Sequence, residues 1–459
     1  MSFMIKRFRK ENLLITLQIF LLLCIWSILF RIFFFLGSLF SFFVRSWKKY
    51  FENRNILGEM HRKKILPNVS QDTFLFFCSS AGEYEQAIPL MESLEKSSKN
   101  VDNIIIFFSP SGLKFAQARN ETRKYLLSGL DCLWTWRQVF KKIRPKACFV
   151  VRHELWPAFL CEANRWGQGV FLVNASHNVG RLNYFSKIWK RFLLFFVKHV
   201  FVVSKEDKDF FCQEFSLDDS RVSISGDTKF DRVFQRAQEK VLNGHKFQEK
   251  LNACGEADSR VVLGSAWAQD VDLLLPAMNF LKEKNQTLNF QAVIALHEPH
   301  DSALNHLEEK CRKAKLSSIR YSTIKNILKE DKKFIDVVII DSLGILSDIY
   351  RCGNLAMVGG AMHYQVHNVL EPACYGLSIS FGPLYKNSKE AILLADNGYA
   401  QVVKQVYDLA NWWETQIDSK YCTGSSAKQY VKSFLGASDN IMTVLQTKQI
   451  FYAREAINH

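Results

Sequence analysis

No two cysteines stand in CxxC spacing, although eleven cysteines are scattered over the 459 residues. That absence argues against a paired-cysteine zinc site or a disulfide framework, and suits free thiols in a reducing compartment. HExxH spacing is missing as well, so His297, Glu298 and His300 form no familiar metal motif and no resident metal is expected. Neither GxGxxG nor GxxxxGK followed by Ser or Thr occurs, which leaves dinucleotide and P-loop nucleotide binding without motif support. No tandem repeat or low-complexity tract interrupts the chain. Acidic residues are outnumbered, 45 against 60 basic, for a formal charge of +15 and a pI near 9.2. Such a balance points to a polyanionic partner: anionic lipid, nucleic acid or a phosphorylated substrate.

What is present begins with an uncharged run, LLITLQIFLLLCIWSILF (13–30). As a helix it measures roughly 27 Å, just enough for a bilayer core. Arg31 interrupts it, and IFFFLGSLFSFFV (32–44) continues the apolar character. No small-residue cleavage site follows, so the segment reads as an uncleaved anchor, either spanning the bilayer or lying in its interface. Basic residues after it favour a cytoplasmic location for the rest of the chain.

Beyond the anchor, short apolar strands alternate with helices: TFLFFCSS (73–80), VDNIIIFFS (101–109), ACFVV (147–151), GVFLVNAS (169–176), HVFVVS (199–204). The style repeats with RVVLGS (260–265), FQAVIAL (290–296), DVVIID (336–341), NLAMVGG (354–360) and LSISFG (377–382). Runs of this kind imply parallel sheets covered on both faces. The expected fold is α/β, two doubly wound Rossmann-like domains with a cleft between them. The expected division is an anchor over 1–46, a first domain over 47–240, a second over 241–430 and a helical tail over 431–459. A polar linker is expected between about 233 and 258.

In open α/β sheets ligands bind outside the carboxyl ends of strands. Six strand-end segments therefore matter. Ser79-Ser80-Ala81-Gly82-Glu83 puts a carboxylate at a helix opening, where it either takes a proton from an incoming hydroxyl or merely favours the helix. Arg152-His153-Glu154-Leu155-Trp156-Pro157 is a second site segment or a capping cluster. Lys229, in GDTKFD (226–231), can neutralise a phosphate or be an ordinary surface lysine. His297 and the Asp341–Gly344 loop can contact a nucleotide. The stretch AMHYQVHNVLEPACYG (361–376) couples a glycine-eased turn to a helix N-terminus suited to an anion; Glu371 one turn later can accept ribose hydroxyls or be solvated. The basic aromatic stretch Tyr184–His199 reads as a face for anionic lipid or as a core helix.

In order along the chain, SSAGEYEQAIPL, SPSG, RHELWP, NAS, SGDTKFDRV, GSAW, ALHEPH, DSLGILSDIY and VGGAMHYQVHNVLEPACYG…FGP resemble the 3-deoxy-D-manno-octulosonic acid (Kdo) transferases, glycosyltransferase family 30. The resemblance covers residues 74–385 approximately. It implies a GT-B fold and inverting transfer of Kdo from CMP-Kdo to a lipid A precursor, without a cofactor. It makes Glu83 the base, Glu154 and Lys229 the transition-state supports, and His297, Gly344, Asn368, Leu370 and Glu371 the donor-binding positions. Arg152 stands where members often carry an acidic residue, His297 where they carry arginine, and Trp267 where they carry histidine. The Gln365–Asn368 loop is one residue shorter. These departures mark a divergent branch.

The implied location is the cytoplasmic face of the inner membrane, with anionic lipid as a partner. No nucleic-acid partner is expected, because an anionic membrane already accounts for the basic charge. Two other readings compete: a GT-B transferase using a UDP-sugar, and a non-catalytic membrane-surface binding protein.

Overall fold

The computed structural model describes residues 21, 23–29, 32, 54–65, 72–118, 123–166, 169–177, 183–239, 241–324, 334–417 and 422–448. Two compact units emerge: one runs to Arg232 and resumes at Gly436, the other is Val233–Leu435. The anchor expected over 1–46 lies almost wholly outside the described residues. Among the described residues no helix is long and apolar enough to cross a membrane.

The first unit is built on a parallel sheet of β1 (Asp72–Cys78), β2 (Val101–Phe107), β3 (Lys124–Leu127), β4 (Ala147–Val151), β5 (Val170–Ala175), β6 (Val197–Val202) and β7 (Val222–Ile224). Their order is β3-β2-β1-β4-β5-β6-β7. The chain leaves β1 toward β2 on one side and returns to β4 on the other, so the topological switch falls between β1 and β4. β1 is buried from Thr73 to Cys78 and β4 along its whole length, which explains their unbroken apolar sequences. One face packs Phe77 against Trp136 and Phe159; the other packs Phe74, Phe76, Phe149 and Phe171. The C-terminal helix Ala437–Thr447 joins that second face through Ile441, Met442 and Leu445. Asp231 holds its start, accepting from Gly436 N, Ser438 N (both 2.8 Å) and Ser438 Oγ (2.9 Å).

The second unit has β8 (Ser259–Ala266), β9 (Phe290–Leu296), β10 (Ser318–Arg320), β11 (Val337–Ile340), β12 (Leu355–Val358), β13 (Ser378–Phe381) and β14 (Ala400–Val402). They too are parallel, ordered β10-β11-β9-β8-β12-β13-β14, with the switch beside β8. The stretch read from sequence as a linker is instead helical, over Thr228–Glu239 and Val241–Asn252. Phe230, Val233 and Phe234 supply the reason: an i, i+3, i+4 triplet, buried, within an otherwise charged sequence.

Candidate active site

After β1 the backbone turns at Ser79 and enters the helix Ala81–Ser97. Ser80 caps it, its Oγ accepting from Glu83 N at 3.3 Å. Glu83, at the third helical position, folds back so that Oε2 accepts the Ser79 N–H. This side chain therefore does favour the helix, as the plainer reading held, and the bond engages only one of its two oxygens. Burial pushes the Glu83 carboxyl above its ordinary value; the bonds from Ser79 oppose this, Glu154 adds to it and Arg152 opposes it. The fully buried Cys78 thiol beneath is pushed up strongly, first by burial and then by Glu83.

Across the switch, β4 is followed by Arg152, whose φ of +64° is unusual for a residue with a side chain. Asn174 at the end of β5 shares this strained region, with φ +55°. Glu154 accepts from Trp156 Nε1 at 3.0 Å, and Trp156 stacks on Phe108 with centroids 4.9 Å apart. Pro157 opens the next helix, Pro157–Trp166. Lys229 sits in the first turn of Thr228–Glu239 and its N–H donates to Asp227 Oδ1 at 2.9 Å. Thus Glu83 and Glu154 are electrostatic neighbours on either side of one switch point, and the Lys229 backbone joins the loop after β4 through Asp227, which pairs with Arg152. Gln86, Asn174, Asp227 and Thr228 join the same network without having been singled out. Their motifs were visible, but only the fold makes them adjacent.

The second unit assembles a different chemistry around β8. Trp267 follows β8, His297 follows β9 and His367 lies in the loop after β12. The Trp267 and His297 rings stack at 5.1 Å, and His297 and His367 at 4.5 Å. Trp267 Nε1 donates to His367 Nε2 at 3.2 Å, which requires that nitrogen to be unprotonated. Burial, then His297, depresses the His367 pKa in keeping with that bond. His363 lies beside Trp267, at 5.6 Å between rings. A cavity of about 170 Å³ opens against this cluster, lined in part by Trp267, Val271, Leu296, His297, His306 and Lys310.

Of the donor positions expected from the resemblance, His297 is in this cluster and Asn368 adjoins His367. Asn368 Oδ1 accepts from Leu370 N at 3.1 Å, opening the short helix Leu370–Tyr375. Leu370 is buried, and Glu371 Oε1 accepts from Arg236 Nη1 at 3.3 Å. Gly344 follows β11, the neighbour of β9, with φ +83°. Among the described residues no group of three or more His, Cys, Asp and Glu is arranged to hold a metal ion.

Residues 50–232 match the family model described as 3-Deoxy-D-manno-octulosonic-acid transferase (kdotransferase). The 3-deoxy-D-manno-octulosonic acid transferase of Aquifex aeolicus (strain VF5) is 25% identical over 308 residues, 66% of this chain and 74% of that protein. Proteins of the same name from other bacteria match at similar levels. Among solved structures, UDP-GlcNAc 2-epimerase from Neisseria meningitidis bound to UDP-GlcNAc superposes with a TM-score of 0.56 at 13% identity, over 82% of this chain and 100% of that one. A glycosyltransferase from Rickettsia africae ESF-5 gives 0.53 at 14%, over 83% and 99%. At such identities the likeness is one of fold: two parallel-sheet α/β domains of the GT-B kind.

Proposed function

We propose that the chain, which is similar to the Kdo transferases, is a glycosyltransferase that moves Kdo from CMP-Kdo to a lipid A precursor with inversion. The observation that carries this reading is the pairing of Glu83 and Glu154 across the switch point of the first sheet. Glu83 takes the proton from the acceptor hydroxyl as its oxygen bonds to the anomeric carbon of Kdo. The bond from that carbon to the CMP phosphate breaks with its electron pair on the phosphate. Glu154 supplies negative charge for the oxocarbenium-like carbon, and Lys229 supplies positive charge for the phosphate. In the second unit, His297, Gly344, Asn368, Leu370 and Glu371 hold the donor. The nucleoside leaves as a monophosphate, so no cofactor is invoked.

We place the reaction at the cytoplasmic face of the inner membrane. The helix Tyr184–Phe195 supports this: it buries only Leu193 and Leu194 fully, and exposes Tyr184, Phe185, Ile188 and Trp189 beside exposed Lys190 and Arg191. Trp189 adjoins Trp26, ring centroids 5.6 Å apart, in the helical residues 23–29, where Ile25, Ile28 and Leu29 are also exposed. A basic, aromatic surface of this kind suits anionic lipid.

The test is transfer in detergent from CMP-Kdo, generated in situ, to a tetra-acylated lipid A precursor, read by mass spectrometry. A gain of one or more Kdo units, absent with E83Q, is expected. No gain from folded protein, together with thermal protection by UDP and not CMP, would move the assignment to a UDP-sugar donor.

A further inference from the structure

Arg152 is unassigned in everything above, yet it touches both halves of the first site. Its backbone N–H donates to Val173 O at 2.9 Å, which locks the strand end in its left-handed turn. From there the side chain makes two contacts. Nε donates to Gln86 Oε1 at 2.7 Å, and Nη2 approaches Asp227 Oδ2 at 3.4 Å. Gln86 lies one helical turn after Glu83. Asp227 holds the N–H of Lys229 through its other oxygen. The guanidinium thus bridges the helix that carries Glu83 and the turn that carries Lys229.

The surroundings reinforce the bridge. Asn174 Nδ2 donates to Thr228 Oγ1 (2.6 Å) and to Gln86 Oε1 (3.3 Å), and Asn174 Oδ1 accepts from Thr228 N (3.2 Å). Thr228 Oγ1 in turn donates to the Gln86 carbonyl. Two residues forced to positive φ, Arg152 and Asn174, converge on one glutamine. Strain of this kind is retained where the surrounding structure over-determines it, often at functional sites.

We propose that Arg152 is a positioning residue: it ties the Glu83 helix to the Lys229 turn and is the cation that offsets Glu154 beside the base. The proposal rests on the reading of Glu83 as the base. The charged and titratable groups facing Glu83 are Cys78 from β1, and Glu154 and Arg152 from the loop after β4. Burial and Glu154 both favour the protonated carboxylic acid, which is useless as a base. The bonds from Ser79 work against them, and Arg152 is the cation that does so as well. A lysine would keep the charge and lose the planar fork, so charge and geometry are separable.

The experiment compares wild type with R152M and R152K in two readouts. The first is the infrared titration of the Glu83 carboxylate in protein labelled at glutamate with 13C, assigned by its absence in E83Q; it needs neither donor nor acceptor. The expected result is a midpoint about one pH unit higher in R152M and close to wild type in R152K. The second is kcat/KM for transfer against pH. R152M is expected to lose about tenfold or more at neutral pH, with the acid limb moved upward in step with the titration. R152K is expected to lose kcat without moving that limb. An unmoved Glu83 midpoint in R152M with a native circular dichroism spectrum would overturn the proposal. So would a uniform loss of rate with an unshifted limb. If R152M does not fold, wild-type kcat in R152K overturns the positioning role. If wild type transfers no Kdo at all, the fault lies with the donor and acceptor assignment, and the titration still decides the role of Arg152.

Discussion

Two carboxylates occupy matching places in the two units. Glu83 is the third residue of the helix after β1, and Asp270 the third residue of the helix after β8. Each strand adjoins its sheet's switch point, each side chain folds back onto the backbone that precedes its helix, and burial raises the pKa of each. They differ in access. Asp270 has no solvent exposure; its Oδ2 accepts from Trp267 N (2.9 Å) and Gly360 N (2.8 Å). Glu83 is half-buried and faces Glu154 and Arg152. A raised pKa therefore does not by itself make a base. Reach is the further requirement. Asp270 instead fastens the Trp267 corner to the glycine turn after β12.

The sharpest way to break this comparison is to neutralise each carboxylate in turn. E83Q is expected to lose between about 10² and 10⁴ in kcat while binding CMP as wild type does by calorimetry. D270N is expected to keep kcat within about threefold, because an amide oxygen can still accept both N–H groups. Wild-type turnover in E83Q would remove it from the mechanism. The pH profile adds a sign. Because the folded Glu83 pKa is raised and the base must be ionised, rate is lost as pH falls through a value above the ordinary 4.5. A limb at or below that value contradicts the assignment.

Stability separates the pair in the opposite direction. D270A leaves two buried N–H groups without an acceptor and is expected to cost about 2–4 kcal/mol in chemical denaturation. The same experiment on E83A, where one partly exposed N–H loses its partner, is expected to show about 1 kcal/mol. Linkage gives a further check. A carboxylate whose folded pKa is raised contributes stability that is fully present below its unfolded pKa and is lost as pH rises through the folded one. D270N cannot titrate. Its stability relative to wild type should therefore increase as pH rises from below 3.8. A difference that stays flat across that range would mean Asp270 is ionised without cost.

The aromatic corner supplies the next effect. W267A removes the ring that stacks on His297 and donates to His367, and is expected to weaken CMP binding about tenfold. Its kcat at saturating donor should stay near that of wild type. The converse pattern, a lost kcat with unchanged CMP affinity, would transfer chemical work to the second unit and erase the contrast.

How much of this was legible follows from the physics of each feature. Strands such as β1, β4 and β12 are covered on both faces, so their sequences are apolar without interruption. The short strands β3, β10 and β14 carry KYLL, SIR and AQV, too brief to stand out. The helices from Thr228 onward looked like a linker because their buried triplet is diluted by charge. Glu83, Glu154 and His297 could be singled out as candidates because strand-end position and residue type are local. Arg152, Gln86 and Asn174 could not be joined, since Gln86 and Asn174 lie 88 residues apart and meet only through the sheet. Asp270 gave no more signal than any acidic residue in a first helical turn.

The smallest expected effect concerns two glycines of the second unit that sequence treats alike. Gly264, near the end of β8, lies under Tyr350, and an added Cβ would collide with the tyrosine hydroxyl. Gly344 has nothing within 4 Å of where a Cβ would sit, but its φ is +83°. G344A is thus a purely backbone change, expected to cost about 1 kcal/mol and, because this loop is one that holds the donor, to weaken CMP binding about fivefold. Chemical denaturation and calorimetry on the same preparation check both numbers. A loss above about 3 kcal/mol would mean that the loop after β11 is packed. A large loss of CMP affinity with normal stability would mean that the donor lies against the Gly344 backbone itself. The second outcome would sharpen the contrast between the units: where the proposed site of the first offers charged side chains, the second would offer rings and bare backbone.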